Sequence, residues 1–146
     1  MKPIRYLMAA TAIAVSLSAS AQKGLNIAGA YEPRFRDLPG AVETVLVNDR
    51  LRSVNLSLYH AITLTGHPDA AATIERLVAK DGASALSKDV RYASGHLYYG
   101  FYALPPRGSM KRYIFYLNRH LKKGDKIILV YIEGTASQDE VKKLIK

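Results

Sequence analysis

Histidine is the side chain best suited to metal binding or proton transfer near neutral pH, and this sequence contains four. His60, His67, His96 and His120 are widely spaced, with no H-x-x-x-H pair and no H-E-x-x-H motif. Zinc sites usually bring at least two ligands close together in the sequence. Cysteine is absent, so the chain has neither a thiolate ligand nor a thiol nucleophile. We therefore expect no metal site.

Nucleophilic and acid–base catalysis also lack a recognisable sequence pattern. There is no G-x-S-x-G elbow, and the serine, histidine and aspartate residues follow no known motif order. The carboxylates considered for glycoside cleavage, Glu43, Asp49 and Glu133, occupy predicted strand or turn positions. We expect no catalytic residues and no cofactor. A small hydrolase acting on envelope or dietary glycans is the alternative, because two carboxylates can converge in any fold.

Tyrosine is the most distinctive residue type in the chain. Ten tyrosines and three phenylalanines occur without tryptophan, and seven of these thirteen fall within residues 98–116. In a strand over 96–104, alternation places successive side chains on opposite faces of a sheet. The face predicted to be the core carries Leu97, Tyr99, Phe101 and Ala103, joined by Phe115 and Leu117 of the next strand.

The opposite face of the same two strands is predicted to be an open binding surface. Tyrosine and arginine carry much of the energy at protein interfaces, and aromatic rings stack on sugars. Two structural alternatives compete with this reading: tyrosine favours half-buried strands, and residues 22–40 could cover the face. The candidate binding residues are Tyr98, Tyr102, Arg112 and Tyr116.

The hydrophobic pattern predicts six strands and two helices, preceded by an irregular segment over 22–40 with a short strand at 25–27. Pro68 and Asp69 suit the first turn of the first helix, which ends near Gly82. Ser137 and Glu140 form a capping box for the second. The predicted strands cover Val42–Val47, 54–64, 90–93, 96–104, 113–118 and 126–133, with turns at 48–50, 94–95 and 122–125.

The resulting order, ββαββββα, predicts an α+β fold with a single antiparallel sheet of about five to six strands and both helices packed on one face. Residues 105–109 are predicted to form a loop, because two adjacent prolines cannot continue a strand. One core is expected between the sheet and both helices. Its predicted members are Ile74, Leu77, Leu97, Tyr99, Phe101, Phe115, Leu117, Val141 and Leu144.

The first 21 residues are typical of a secretory signal peptide. Lys2 and Arg5 are followed by an apolar stretch at 7–17, which is too short to span a bilayer, and Ala19-Ser20-Ala21 supplies an A-x-A cleavage site. The prediction is a signal peptide over 1–21 and a single exported domain over 22–146, with no transmembrane segment after cleavage. That domain carries a net charge of +7, which favours anionic partners or serves solubility.

The strands LYYGFYALP (97–105) and YIFYLN (113–118), and the YIEG ending (131–134) before a short helix, carry a resemblance. Together with the exported start, they resemble small exported proteins of Gram-negative bacteria classed as domains of unknown function. The resemblance implies export and fold and assigns no catalytic or ligand residue.

The expected function is a non-enzymatic binding domain of the periplasm or cell surface. Its expected partner is an envelope protein or an anionic glycan. Nucleic acid is not an expected partner, because the chain is exported and has no nucleic-acid motif. A structural part of an envelope assembly is a further alternative to the hydrolase.

Overall fold

The computed structural model describes residues 24–121 and 124–145. The predicted signal peptide over 1–21, and Lys122 and Lys123 of a predicted turn, lie outside the described residues. The 3-10 helices are η1 (Asn26–Tyr31) and η2 (Asn48–Val54), and the α-helices are α1 (Pro33–Arg36), α2 (Pro68–Gly82) and α3 (Gln138–Ile145). The strands are β1 (Val42–Val47), β2 (Leu56–Thr65), β3 (Ser87–Ala93), β4 (His96–Arg107), β5 (Met110–Leu121) and β6 (Gly124–Gly134).

All six strands form one sheet in the order β1-β2-β6-β5-β4-β3, and every neighbouring pair is antiparallel. The hairpin of β1 and β2 therefore joins a four-stranded meander through the β2–β6 pair. The predicted α+β class, the single antiparallel sheet and the element order ββαββββα are confirmed.

The chain connections agree with the sequence in some places and differ in others. Ser94 and Gly95 have φ of 52° and 79°, the pair of positive values that a two-residue hairpin turn requires. The predicted capping box forms, since Ser137 N donates to Glu140 Oε1 at 2.8 Å and Glu140 N donates to Ser137 Oγ at 3.2 Å. The predicted loop over 105–109 is wrong over 105–107, because β4 continues through both prolines to Arg107, and the turn is confined to Gly108 and Ser109. The ladder is irregular between Leu104 and Arg107, so the missing proline N–H groups interrupt no regular pairing.

The two faces of the sheet carry separate cores. Along β6, Ile127, Leu129 and Tyr131 belong to one buried cluster, while Val130 and Ile132 belong to another. The first cluster lies on the face covered by α2, η1 and α1, here called the α2 face, and the second lies on the face covered by α3 and η2, the α3 face.

The helices consequently pack on opposite faces, and the expectation that both lie on one face is wrong. Ile74 of α2 is buried in the α2-face cluster, whereas Val141 of α3 is buried in the α3-face cluster. Both faces of β2, β5 and β6 are apolar, so a helix on one side alone would leave the other exposed. The predicted single core is therefore two cores.

A β-bulge in β4 accounts for part of this split. Arg91 pairs with Tyr99, but Tyr92 pairs with Leu97, so Tyr98 is an extra residue in β4. The bulge reverses the alternation, and Leu97 faces α2 while Tyr99 and Phe101 face α3. Strict alternation through the strand placed all three on one face.

The segment before β1 is ordered against α2. The predicted strand at 25–27 is wrong, because these residues lead into the 3-10 helix η1. The carboxylate of Asp81, near the end of α2, accepts hydrogen bonds from Asn26 N, Asn26 Nδ2 and Ile27 N at 2.8, 2.9 and 2.8 Å. Tyr31 and Phe35 are buried in the same cluster as Ile74. Residues 24–40 thus help to close the α2 face.

Candidate functional site

Two of the four tyrosine and arginine residues predicted to form an open surface are buried. Tyr102 is 3% exposed and Tyr116 is 0% exposed, and both lie in the α2-face cluster. Burial raises the pKa of Tyr102 to about 12 and that of Tyr116 further. Tyr98 and Arg112 are partly exposed, and Arg112 Nε donates to Pro105 O at 2.9 Å. The exposure predicted for Tyr102 and Tyr116 is wrong, because α2 and the segment before β1 cover the face on which these two residues lie.

A carboxylate–histidine pair that the sequence did not indicate lies on the α2 face. His60 Nε2 and Glu43 Oε2 are 2.6 Å apart, and the ring of Tyr31 stacks on His60 with centroids 3.8 Å apart. The Tyr31 hydroxyl also donates to His60 O at 3.1 Å. Burial lowers the pKa of His60, with Glu43 opposing this effect and Arg36 adding to it.

This pair is not accessible to a substrate. The His60 side chain is 1% exposed and that of Glu43 is 11% exposed. Glu43 and His60 are diagonal neighbours, since Glu43 is opposite Ile62 and Val45 is opposite His60. Sequence reasoning missed them because the register of this hairpin depends on η2, which replaces the predicted three-residue turn. The geometry gives the pair a structural role beneath η1.

The other candidate carboxylates have separate partners. The Tyr131 hydroxyl donates to Glu133 Oε2 at 2.6 Å, while Asp49 pairs with the exposed guanidinium of Arg52. Within residues 24–121 and 124–145, no group of three or more histidine, aspartate or glutamate side chains is placed to hold a metal ion. No helix in that part of the chain is long and apolar enough to span a bilayer.

The accessible part of the sheet lies on the opposite, α3 face. Helix α3 has 8 residues, so it covers only one end of this face. Beyond it, one cross-strand row traverses all six strands, with each member directly opposite the next. All six side chains in the row are partly or fully exposed. This row, here called the open strip, consists of Val42, Thr63, Ile128, Leu117, Tyr99 and Arg91.

Aromatic and cationic groups are combined at one end of the open strip. The guanidinium of Arg91 lies over the ring of Tyr99, 4.6 Å from its centroid. Tyr99 in turn packs edge-on against Phe115, with centroids 5.7 Å apart and planes at 76°. The Tyr99 ring is therefore held at a fixed orientation with a cation above it.

Two further cations lie beside the strip on the same face. Arg119 and Lys126 are directly opposite each other on β5 and β6, two residues beyond Leu117 and Ile128. Among the described residues, neither has an ion-pair partner. Like charges placed directly opposite in a sheet repel each other, and a bound anion would relieve that repulsion.

Comparison with known proteins adds a family and no function. A family model described as "Family of unknown function (DUF6108)" matches residues 14–145. No curated protein and no solved structure matches the chain.

Proposed function

We propose that this chain, which belongs to the DUF6108 family of unknown function, is an exported, non-enzymatic domain. It binds an anionic envelope polymer along the open strip. The proposal places the domain in the periplasm or at the cell surface of a Gram-negative bacterium. The predicted signal peptide over 1–21 and the sequence resemblance support the compartment. The chemistry of the α3 face supports the binding role.

The pairing of Arg119 with Lys126 carries the proposal. Two cations that lie directly opposite each other, with no carboxylate partner among the described residues, destabilise the free protein slightly, which is expected where a ligand supplies the negative charge. The net charge of +7 over residues 22–146 adds a long-range attraction for a polyanion.

The shape and chemistry of the open strip favour an extended glycan. Six strands spaced about 4.8 Å apart give a row roughly 24 Å long, which suits a linear polymer. The ring of Tyr99 offers an apolar surface on which a sugar ring can stack, and Leu117 and Ile128 extend it. An envelope protein with an acidic segment is the alternative partner for the same surface.

The hydrolase alternative lacks comparable support. Three carboxylate–histidine pairs occur among the described residues: Glu43 with His60, whose side chains are covered, and Glu75 with His96 and Asp125 with His120, whose side chains are more exposed. Within that part of the chain, neither exposed pair belongs to a group of three or more histidine, aspartate or glutamate side chains placed to hold a metal ion. General acid–base catalysis needs such a group within hydrogen-bond reach of the substrate.

Binding of polygalacturonate, an acidic polysaccharide, tests the proposal against neutral dextran. The domain over 22–146 should be retained on polygalacturonate and not on dextran, and retention should fall as salt rises. Arg119→Ser with Lys126→Ser should weaken binding about tenfold if each cation contributes about 0.7 kcal/mol.

A matched control removes the same charge elsewhere. Arg76→Ser with Lys80→Ser changes two exposed cations of α2, so binding should stay within about twofold of the parent. An equal loss in both double variants would show that net charge alone binds the polymer, which would reject the strip. Export is tested separately by mass spectrometry, which should find a chain that begins at Gln22.

A further inference from the structure

Strand β3 is an edge strand with an exposed outer side. It pairs with β4 alone among the described strands and has most of its side chains exposed. Three large apolar residues of the described chain are exposed, and two of them lie at the ends of this strand: Leu86, 69% exposed, and Tyr92, 62% exposed. An edge of this kind presents free N–H and C=O groups to another strand.

The sequence of β3 is complementary to itself in the antiparallel direction. With the centre at Val90, Asp89 of one copy is opposite Arg91 of the other, and Arg91 is opposite Asp89. Lys88 is likewise opposite Tyr92, and Val90 is opposite its own copy. We propose that two copies of this chain pair through β3 about a twofold axis at Val90, which forms a continuous twelve-stranded sheet.

The faces of the sheet agree with this register. Asp89 and Arg91 are opposite Phe101 and Tyr99 of β4, so both lie on the α3 face and would meet there. Val90 is opposite Gly100 and packs against the α2-face cluster, so the two valines would meet on the α2 face.

The carboxylate of Asp89 is already surrounded by cations within one copy. Arg91 Nη2 lies 3.9 Å from it and Lys142 Nζ lies 3.6 Å from it. A second arginine arriving across the axis would complete a network of opposite charges around two carboxylates, which is more favourable than an isolated exposed pair.

The other edge strand does not offer the same match. In β1 the charged residue is Glu43, which is engaged with His60 beneath η1. Pairing of two β1 strands would therefore bring together no opposite charges. In addition, the extra residue of the bulge at Tyr98 belongs to β4, so β3 itself is regular over its 7 residues.

Charge exchange tests the register. The wild-type domain should show a monomer–dimer equilibrium by sedimentation at concentrations up to about 1 mM, the range in which weak association is measured. Asp89→Arg alone or Arg91→Asp alone should weaken dimerisation at least about tenfold, because each places like charges opposite each other twice. An equimolar mixture of these two variants should restore a dimer, since every cross-strand pair is then opposite in charge.

The mixture is decisive because two copies of the same variant repel each other, whereas one copy of each variant does not. A wild type that stays monomeric at about 1 mM would overturn the proposal. Dimerisation that Asp89→Arg leaves unchanged would also overturn it, as would a mixture that remains monomeric while both variants are folded by circular dichroism.

Cross-linking tests the axis independently. The chain contains no cysteine, so Val90→Cys supplies a single thiol, and its copy would lie directly opposite at a distance compatible with a disulfide. Oxidation should give a covalent dimer. The matched control, Lys88→Cys, places the two thiols about 13 Å apart and should not cross-link. Equal cross-linking of both variants would reject the axis at Val90.

The tests of β3 pairing and of polymer binding have independent outcomes. Dimerisation is measured without any polysaccharide, and Asp89→Arg leaves the six residues of the open strip, Arg119 and Lys126 unchanged. A wild-type domain that stays monomeric at about 1 mM but still binds polygalacturonate would refute the edge pairing and leave the open strip supported.

Discussion

His60 and Glu43 meet across the edge of the sheet, with Nε2 and Oε2 2.6 Å apart beneath the ring of Tyr31. The contact connects β1, β2 and η1, three elements that contribute to the same buried cluster as Ile74. Because both side chains are covered, the pair acts on stability rather than on a ligand.

We expect the free energy of unfolding to fall as the pH drops below about 6.5, through the contribution of His60. Burial lowers the pKa of His60 in the folded chain below the ordinary value of 6.5. The unfolded chain therefore binds the proton first, and stability that is fully present above the unfolded pKa is lost as the pH falls toward the folded pKa.

Denaturant unfolding at pH 7.5 and pH 5 measures this contribution. His60→Gln keeps an N–H group but does not titrate, so it should reduce the difference in stability between the two pH values. The other histidines are retained in this variant and provide the internal reference. If His60→Gln loses as much stability in acid as the parent does, His60 is not the sensor.

Asp81 is expected to hold η1 against α2. Its carboxylate accepts hydrogen bonds from three N–H groups of Asn26 and Ile27. Each hydrogen bond to a charged group contributes at most about 1.5–3 kcal/mol to the free energy of unfolding. Asp81→Ala should lower the free energy of unfolding by several kcal/mol and expose residues 24–40 to limited proteolysis.

The matched control for Asp81 is Asp69→Ala, at an exposed position in the first turn of the same helix. It removes the same charge and should change stability by about 1 kcal/mol or less. If both variants are cut at 24–40 at the rate of the parent, Asp81 does not hold the segment.

Tyr98 and Tyr102 should respond very differently to the same substitution. Tyr102 is buried against α2, where a Cβ built at Gly82 would lie 2.5 Å from its ring, so the ring fills the space beside the helix end. Tyr102→Ser should cost about 3–5 kcal/mol, as truncation of a buried aromatic residue does. Tyr98→Ser, at the partly exposed bulge, should cost about 1 kcal/mol. Thermal unfolding of the two variants compares them, and equal melting temperatures would mean that Tyr102 is not a core residue.

The sequence predicted the positions of the main strands and helices well. It predicted poorly which side chains lie on which face of the sheet. The strands were predictable because β-branched and aromatic runs are separated by residues such as Ser94 and Gly95 that favour a turn. The face of the sheet on which Leu97 lies was not predictable. The bulge at Tyr98 depends on how β3 and β4 pair, and neither strand's sequence alone indicates it.

Tyr102 and Tyr116 were predicted to be exposed for a related reason. Tyrosine occurs both in strands that are buried on both faces and in strands with one solvent-exposed face. The residue type at 102 and 116 therefore does not indicate whether a helix covers the side chain. On the α3 face, Arg91 stacks on Tyr99, although strict alternation predicted Tyr99 to be a core residue and neither residue was a predicted binding residue.

The existence of two cores, rather than one, gives the last prediction. Phe101 is fully buried in the α3-face cluster, so Phe101→Ala should cost about 3–5 kcal/mol. Val141 lies in that same cluster, whereas Ile74 lies in the cluster on the other side of the sheet. Double-mutant cycles with the milder Phe101→Leu should therefore distinguish the two helices. Combined with Ile74→Val, the losses of stability should add within about 0.5 kcal/mol, and combined with Val141→Ala they should deviate from additivity by more than that. Strong coupling of Phe101 to Ile74, with none to Val141, would mean that α2 and not α3 covers this face.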